Sequence, residues 1–169
     1  MSIYLGVDVG ANTGLAAIDD IHVCRRREVV SLIGTYAQRL HELDWELRNF
    51  LSGWTQPLEM LVVEEPPRVK STTVYKQLCG YHAIVLKVCA DLGLPCESVN
   101  NLTIKKVIVR GGAVGKSSKE DMMFKAASLI GEPVPEFKTK KARAYAQNGY
   151  DAVLCAFYAK FIKSGGCVL

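Results

Sequence analysis

The chain has 169 residues, 49% of them hydrophobic, with 21 Lys and Arg against 17 Asp and Glu and a net charge of +4. That length predicts a single domain over 1–169, and the apolar content with 14 Gly and 6 Pro excludes a disordered or collagen-like chain. No apolar run approaches the roughly 18 residues of a membrane span, and no signal-peptide pattern opens the chain. We therefore expect no membrane association and a cytoplasmic protein.

The N-terminal third is predicted to form three short strands, over residues 2–9, 13–18 and 21–31. Tight links join them, and parallel neighbours would need a crossover of a dozen or more residues. The three strands are therefore expected to pair antiparallel.

The middle of the chain alternates helix and strand. A helix capped by Thr35 carries apolar residues at spacings of three and four. An apolar strand over 60–63, a long helix over 71–92 and a strand over 96–99 follow.

The second half is predicted to contain a short helix over 102–109, a glycine-rich basic loop over 110–116, a helix over 119–130 and an apolar helix over 151–162. Ser117 and Glu120 fit a capping box for the third of these elements. Strands followed by mixed strand and helix units predict an α/β fold, with one mixed sheet and helices on its faces.

The six cysteines show no metal-binding spacing such as C-x-x-C, and most lie in apolar surroundings. They are Cys24, Cys79, Cys89, Cys96, Cys155 and Cys167. In a chain without a secretion signal, we expect free thiols that pack as small hydrophobic residues.

Basic side chains concentrate between residues 102 and 145. This stretch holds 10 basic and 4 acidic residues, a net charge of +6, whereas the remainder holds 11 basic and 13 acidic residues, a net charge of −2. A one-sided positive field attracts polyanions, and phosphate contacts give sequence-independent affinity for nucleic acid. The charge alone fits a solvated lysine-rich surface equally well.

Three carboxylates occupy apolar junctions. Asp8 lies inside the first strand, Glu64 follows the strand over 60–63, and Asp151 opens the last predicted helix. A buried carboxylate is costly unless it is paired or bound to a cation. Asp8 could instead cap the turn after its strand, and Asp151 could serve the dipole of its helix.

Together the three acids predict one acidic cluster at a strand end, although 56 and 87 residues separate them along the chain. Like charges repel, so such a cluster requires a bound cation. Oxygen ligands without neighbouring His or Cys favour Mg²⁺ or Mn²⁺. Beside a basic surface, this site suits phosphodiester hydrolysis, in which two metals roughly 3.5–4 Å apart activate water and stabilise the leaving oxygen.

Four segments, in order, resemble the RuvC family of Holliday-junction resolvases in the ribonuclease-H-like superfamily. They are LGVDVGANTG at 5–14, VVE at 62–64, TIKKVIVRGGAVGK at 103–116 and YDAVLCA at 150–156. The resemblance covers nearly the whole chain. It implies a mixed five-stranded sheet, three antiparallel strands and then parallel strands, with helices on both faces.

The resemblance also implies a Mg²⁺-dependent endonuclease that cuts branched DNA, chiefly four-way junctions, by paired symmetric nicks. It places Asp8, Glu64 and Asp151 on two Mg²⁺ ions, with Mn²⁺ a candidate substitute, and Lys105 and Lys116 at the scissile phosphate. The residues expected to bind DNA are Lys105, Lys106, Arg110, Lys116, Lys119, Lys138, Lys140, Lys141 and Arg143.

Two symmetric cuts call for two sites, so the resemblance implies a C2 homodimer. An apolar stripe on the helix over 71–92 is a candidate interface, with core packing as the alternative. The stripe consists of Val74, Leu78, Tyr81, Val85 and Val88.

Two positions depart from the family pattern. The family usually carries an acidic residue three positions before the helix aspartate, where this chain has Asn148, a neutral oxygen ligand expected to coordinate weakly. The family also tends to carry an aromatic shortly after the strand glutamate, whereas Glu65, Pro66 and Pro67 follow here and Tyr75 is the nearest aromatic. Such divergence suits a phage- or virus-encoded member acting in a host cytoplasm.

Three other functions remain open. Asp8, Gly10, Thr13 and Gly14 also fit the phosphate loop of sugar-kinase and actin-like proteins, but those need two lobes and 169 residues supply one. An RNA-processing nuclease of the same superfamily would share the acidic site. A non-catalytic DNA-binding protein with a degraded metal site would explain Asn148.

Overall fold

The computed structural model describes residues 1–109 and 117–166, which build one five-stranded sheet in the spatial order β3-β2-β1-β4-β5. The strands are β1 Ile3–Asp8, β2 Asn12–Asp19, β3 Cys24–Ser31, β4 Leu58–Glu64 and β5 Cys96–Val99. The first three pair antiparallel, and β4 and β5 continue the sheet parallel to β1. The predicted mixed sheet is confirmed.

Helices cover both faces of the sheet, as predicted. They are α1 Tyr36–Ser52, α2 Thr72–Asp91, α3 Asn101–Ile104, α4 Lys119–Leu129 and α5 Lys140–Lys163, and a π-helical turn over Lys105–Val109 extends α3. The first two helices close a core on one face of the sheet. On the other face, α4 and α5 close a second core.

Strand β3 begins three residues later than predicted. His22 adopts a positive φ of 68° in the preceding turn, and the buried Asp19 carboxylate accepts hydrogen bonds from the backbone of Ile21 and Val23. Because this turn uses the first three residues of the predicted strand, pairing starts at Cys24.

Helix α5 begins at Lys140, eleven residues before the predicted start at 151. Thr139 caps it, with its Oγ1 accepting a hydrogen bond of 3.1 Å from Ala142. The prediction followed the apolar run, but the first two turns of the helix are mostly exposed and give no apolar pattern.

The capping box of α4 is displaced by one residue from its predicted place at Ser117 and Glu120. Ser118 accepts a hydrogen bond of 3.1 Å from the Asp121 backbone, and the Asp121 carboxylate accepts one of 2.6 Å from Ser118 N. The helix that starts in this frame buries Met122 and Met123 in the second core.

Most of the α2 stripe packs inside the molecule. Tyr81, Val85 and Val88 are buried in the core shared with α1, whereas Val74 is 44% exposed. The expected use of this stripe as a dimer interface is therefore wrong for its buried members, and core packing accounts for them.

The five cysteines in the described part of the chain are free thiols, as expected. Cys167 and the predicted loop over 110–116, with Arg110 and Lys116, lie outside the described residues. Over the ranges that the structure covers, no helix combines the length and apolar character needed to cross a bilayer.

Candidate active site

Asp8 and Glu64 are the last residues of two neighbouring parallel strands. Val7 of β1 lies opposite Val63 of β4, so the two carboxylates follow directly beyond this pair at one edge of the sheet. Neighbouring strands lie about 4.8 Å apart. Because side chains alternate and both valines belong to the core under α1 and α2, both acids face α5.

Asp8 does not cap the turn that follows its strand. Thr13 closes this turn, since its hydroxyl donates to the carbonyl of Gly10 at 2.8 Å and accepts from Gly10 N at 3.3 Å. Within the described residues, the Asp8 carboxylate has no hydrogen-bond partner of its own. Its burial is thus not explained by the turn.

Helix α5 brings Asp151 to the same edge because the helix lies directly on the backbone of β1 and β2. A Cβ atom added to Gly6 or to Gly14 would stand 2.0 Å from a backbone oxygen of α5, so only glycine permits this approach. At Gly14 that oxygen belongs to Asn148, and Gly14 is paired with Asp8. Asp151 lies in the middle of α5 and is not an N-terminal dipole partner.

The three carboxylates share a desolvated environment and influence one another. Burial, then the charges of Glu64 and Asp151, raise the pKa of Asp8 well above its usual range. Burial also raises the pKa of Glu64, with a further contribution from Asp151, and burial raises the pKa of Asp151 to about 6. The three acids line one cleft, and their mutual repulsion there is a cost that a cation would relieve.

Two amide side chains donate hydrogen bonds to the carboxylates of Glu64 and Asp151, which we call the outer carboxylates. Asn101 donates through Nδ2 to Glu64 Oε2 at 2.6 Å, and Gln147 donates through Nε2 to Asp151 Oδ1 at 2.8 Å. Neither residue was predicted from the sequence. The spacing of four between Gln147 and Asp151 was a usable signal, since such residues are neighbours on one helix face.

The donor set consists of hard oxygen atoms. Cys155 lies one turn after Asp151, but burial and the three neighbouring carboxylates raise the pKa of its thiol, which keeps the sulfur protonated. As the side chains stand, no three His, Cys, Asp or Glu residues of the described ranges are arranged as a ligand set. The chemistry of the donors fits Mg²⁺ or Mn²⁺ rather than zinc.

Asn148, expected as an auxiliary ligand, lines the same cleft. Its Nδ2 donates to the backbone oxygen of Asn12 at 2.9 Å, which ties α5 to the start of β2. This bond engages the amide nitrogen and leaves the Oδ1 atom for other partners.

The acids lie in an open cleft of about 1710 Å³, whereas small-ligand pockets span roughly 300–1,000 Å³. Of the residues expected to bind DNA, five line this cleft: Lys105, Lys119, Lys140, Lys141 and Arg143. Arg68, which was not predicted from the sequence, also lines the cleft. Arg143 Nη2 lies 2.7 Å from Glu120 Oε1 in an ion pair. Lys106 and Lys138 do not line it.

Lys119, expected from the sequence as a DNA contact, also acts electrostatically on the acidic cluster. Its charge lowers the pKa of Asp8, Glu64 and Asp151, a role it shares with Lys105 at the last two. A cation at the first residue of α4 therefore faces all three carboxylates.

No protein-family model and no curated protein matches the chain. Among solved structures, RuvC of T. thermophilus in complex with a Holliday junction substrate matches with a TM-score of 0.77 and 16% identity over 98% of both chains. A second structure of Thermus thermophilus RuvC matches with a TM-score of 0.75 and 17% identity over 97% of both chains. The yeast mitochondrial Holliday junction resolvase Ydc2 matches with a TM-score of 0.58 and 14% identity over 95% of this chain and 83% of its own. The chain thus has the fold of these resolvases.

Proposed function

We propose that this chain, which has the fold of the RuvC resolvases, is a divalent-metal-dependent endonuclease that cuts four-way DNA junctions. The observation that carries the proposal is the meeting of Asp8, Glu64 and Asp151 in one cleft with a basic rim. Carboxylates that repel one another at close range are stabilised by a bound cation, and the lysines around them attract a phosphate.

Asp8, Glu64 and Asp151 would hold two Mg²⁺ ions, with Asn148 as an auxiliary ligand and Mn²⁺ as a candidate substitute. When bound, such ions supply an activated water and stabilise the leaving oxygen. The partial burial of the three carboxylates lowers the exposure of their charges to water, which strengthens the charge interactions there.

Lysines would bind and orient the phosphate that is cut. Lys105, in the π-helical turn after α3, and Lys119, at the start of α4, line the cleft beside the acids. A phosphate bound over the cluster would therefore lie between cations and carboxylates. Lys116, placed at this phosphate by the family resemblance, stays part of the proposal. Preorganised cations of this kind stabilise charge that develops during the reaction.

The rest of the rim would position the arms of the junction. Lys140, Lys141 and Arg143 lie on the first turns of α5, and Arg68 lies in the segment that follows β4. Paired cuts would require a C2 homodimer, whose interface would lie outside the buried part of the α2 stripe.

The test compares a synthetic four-way junction with linear duplex of the same sequence. The proposal predicts Mg²⁺-dependent nicking of the junction in preference to the duplex, abolished by EDTA. Equal cutting of both substrates would reject junction selectivity, and preferential cutting of a matched branched RNA would favour the RNA-processing alternative. Tight junction binding without any cutting in Mg²⁺ or Mn²⁺ would favour the non-catalytic alternative.

A further inference from the structure

The two amides at the site bind only one oxygen of each outer carboxylate. Asn101 bonds Glu64 Oε2 and Gln147 bonds Asp151 Oδ1. Over the described residues, Glu64 Oε1 and Asp151 Oδ2 receive no hydrogen bond. Each carboxylate is therefore fixed through one atom and keeps the other for a further partner.

The orientation of Asn101 follows from Glu64 and from nothing else in the described structure. Its Oδ1 is buried and finds no hydrogen-bond partner among residues 1–109 and 117–166, a cost of about 1–3 kcal/mol. The local fold does not need this amide, because the neighbouring Asn100 caps α3 by accepting a bond of 2.9 Å from Leu102 N. Asn101 thus tolerates an unsatisfied oxygen in order to donate to Glu64.

Gln147 repeats the arrangement on α5. It is only 5% exposed and lies one helical turn before Asp151, so its short reach to that carboxylate is set by the helix. Two elements that are distant in sequence therefore supply the same donor to the two outer acids.

We propose that Asn101 and Gln147 are positioning residues, whose amide hydrogens fix Glu64 and Asp151 so that each presents a free oxygen to a divalent cation. The inference rests on the proposed function. A carboxylate without such a donor would lose its fixed orientation beside two like charges, and the cation would have to restore that order on binding. Groups that orient metal ligands typically contribute 10–100-fold to metal affinity or activity.

The test replaces Asn101 with leucine, which has nearly the same shape but no polar atoms. Asn101→Leu should raise the Mg²⁺ concentration for half-maximal nicking roughly 10–100-fold. It should raise by the same factor the Mg²⁺ concentration at which thermal stabilisation of the DNA-free protein is half-maximal. Removing the unsatisfied Oδ1 offsets the cost of leaving Glu64 Oε2 without its donor, since each unsatisfied group costs about 1–3 kcal/mol. The metal-free melting temperature should therefore stay near that of the wild type.

Asn100→Ala is the matched control, since it removes the cap of α3 and leaves the bond to Glu64. It should lower the melting temperature by a few degrees and leave both Mg²⁺ midpoints unchanged. Asn101→Ala gives a second variant if the leucine variant does not fold.

The outcomes separate the inference from the function on which it rests. If the wild type shows neither Mg²⁺-dependent nicking nor Mg²⁺ stabilisation, the proposed function fails. If the wild type responds and Asn101→Leu keeps its Mg²⁺ midpoints, the positioning role is overturned. Equal shifts in the Asn101 and Asn100 variants would also overturn it, because general loosening of the segment would then suffice.

Discussion

Gly14→Ala tests how the fold builds the site without touching any charged residue. A Cβ atom at this position would lie 2.0 Å from the backbone oxygen of Asn148, whereas real Cβ contacts stay beyond 3.0 Å. Gly14 lies inside the sheet, paired with Asp8, so the strain falls on α5, which must withdraw by about 1 Å. Asp151, one turn further along α5, moves with it.

A misplacement of about 1 Å costs roughly 100-fold in rate when it separates groups that act together. Overpacking of this kind destabilises a protein by about 1–3 kcal/mol, which lowers the melting temperature by about 2–4 °C per kcal/mol at this chain length. We therefore expect Gly14→Ala to fold, to melt several degrees lower and to nick a four-way junction about 100-fold more slowly.

The assay is single-turnover nicking at saturating DNA and Mg²⁺, at a temperature where each variant is fully folded. Gly93→Ala is the matched control, because Gly93 has a φ of +63° and no atom lies within 4 Å of its added Cβ. Alanine at this position introduces a backbone strain of about 1–2 kcal/mol far from the acids. The Gly93→Ala variant should therefore nick at the wild-type rate. Wild-type nicking by Gly14→Ala would refute the close contact between α5 and β2.

Two further predictions concern charge at the site. Lys119→Ala should lower the single-turnover nicking rate at saturating junction. Lys106→Ala is the control, because it removes a lysine that does not line the cleft, and it should leave that rate unchanged. If Lys119→Ala lost only affinity for the junction, Lys119 would be a positioning contact for DNA. Because burial raises the pKa of Asp151 to about 6, the folded chain holds this proton more tightly than the unfolded chain does. The free energy of unfolding of the metal-free protein should therefore decrease as the pH rises from about 4 to about 6. Asp151→Asn should flatten that slope in thermal melts across the same range. An unchanged slope would contradict the burial of this carboxylate.

The sheet and the three acids were predictable because their signals are local. Asp8 and Glu64 each interrupt or end a continuous apolar run, and a charge in such a run has few explanations. The signal for strand β5 is also local, because Gly93 and Pro95 mark where it can begin. The strand was predicted with its observed bounds.

The sequence did not show what depends on contacts between distant elements. The start of α5 at Lys140 lies in an exposed stretch without apolar periodicity, and the cap at Thr139 was its one local sign. Asn101 is an unremarkable amide until β4 and β5 bring it beside Glu64. Lys119 was predicted from the sequence as a DNA contact, but its effect on the acids depends on where α4 lies, because its spacing from Lys105 carries no periodic signal.

The most direct test of the central claim is the single-turnover nicking rate of Asp8→Asn, Glu64→Gln and Asp151→Asn on a four-way junction in Mg²⁺. Each should lose more than the roughly 100-fold typical of groups that only orient a ligand, while binding the junction at least as tightly as the wild type. Glu65→Gln, an identical change at the exposed neighbouring residue, should nick normally. Normal nicking by any of the three variants would contradict a site in which these carboxylates act together on the metal.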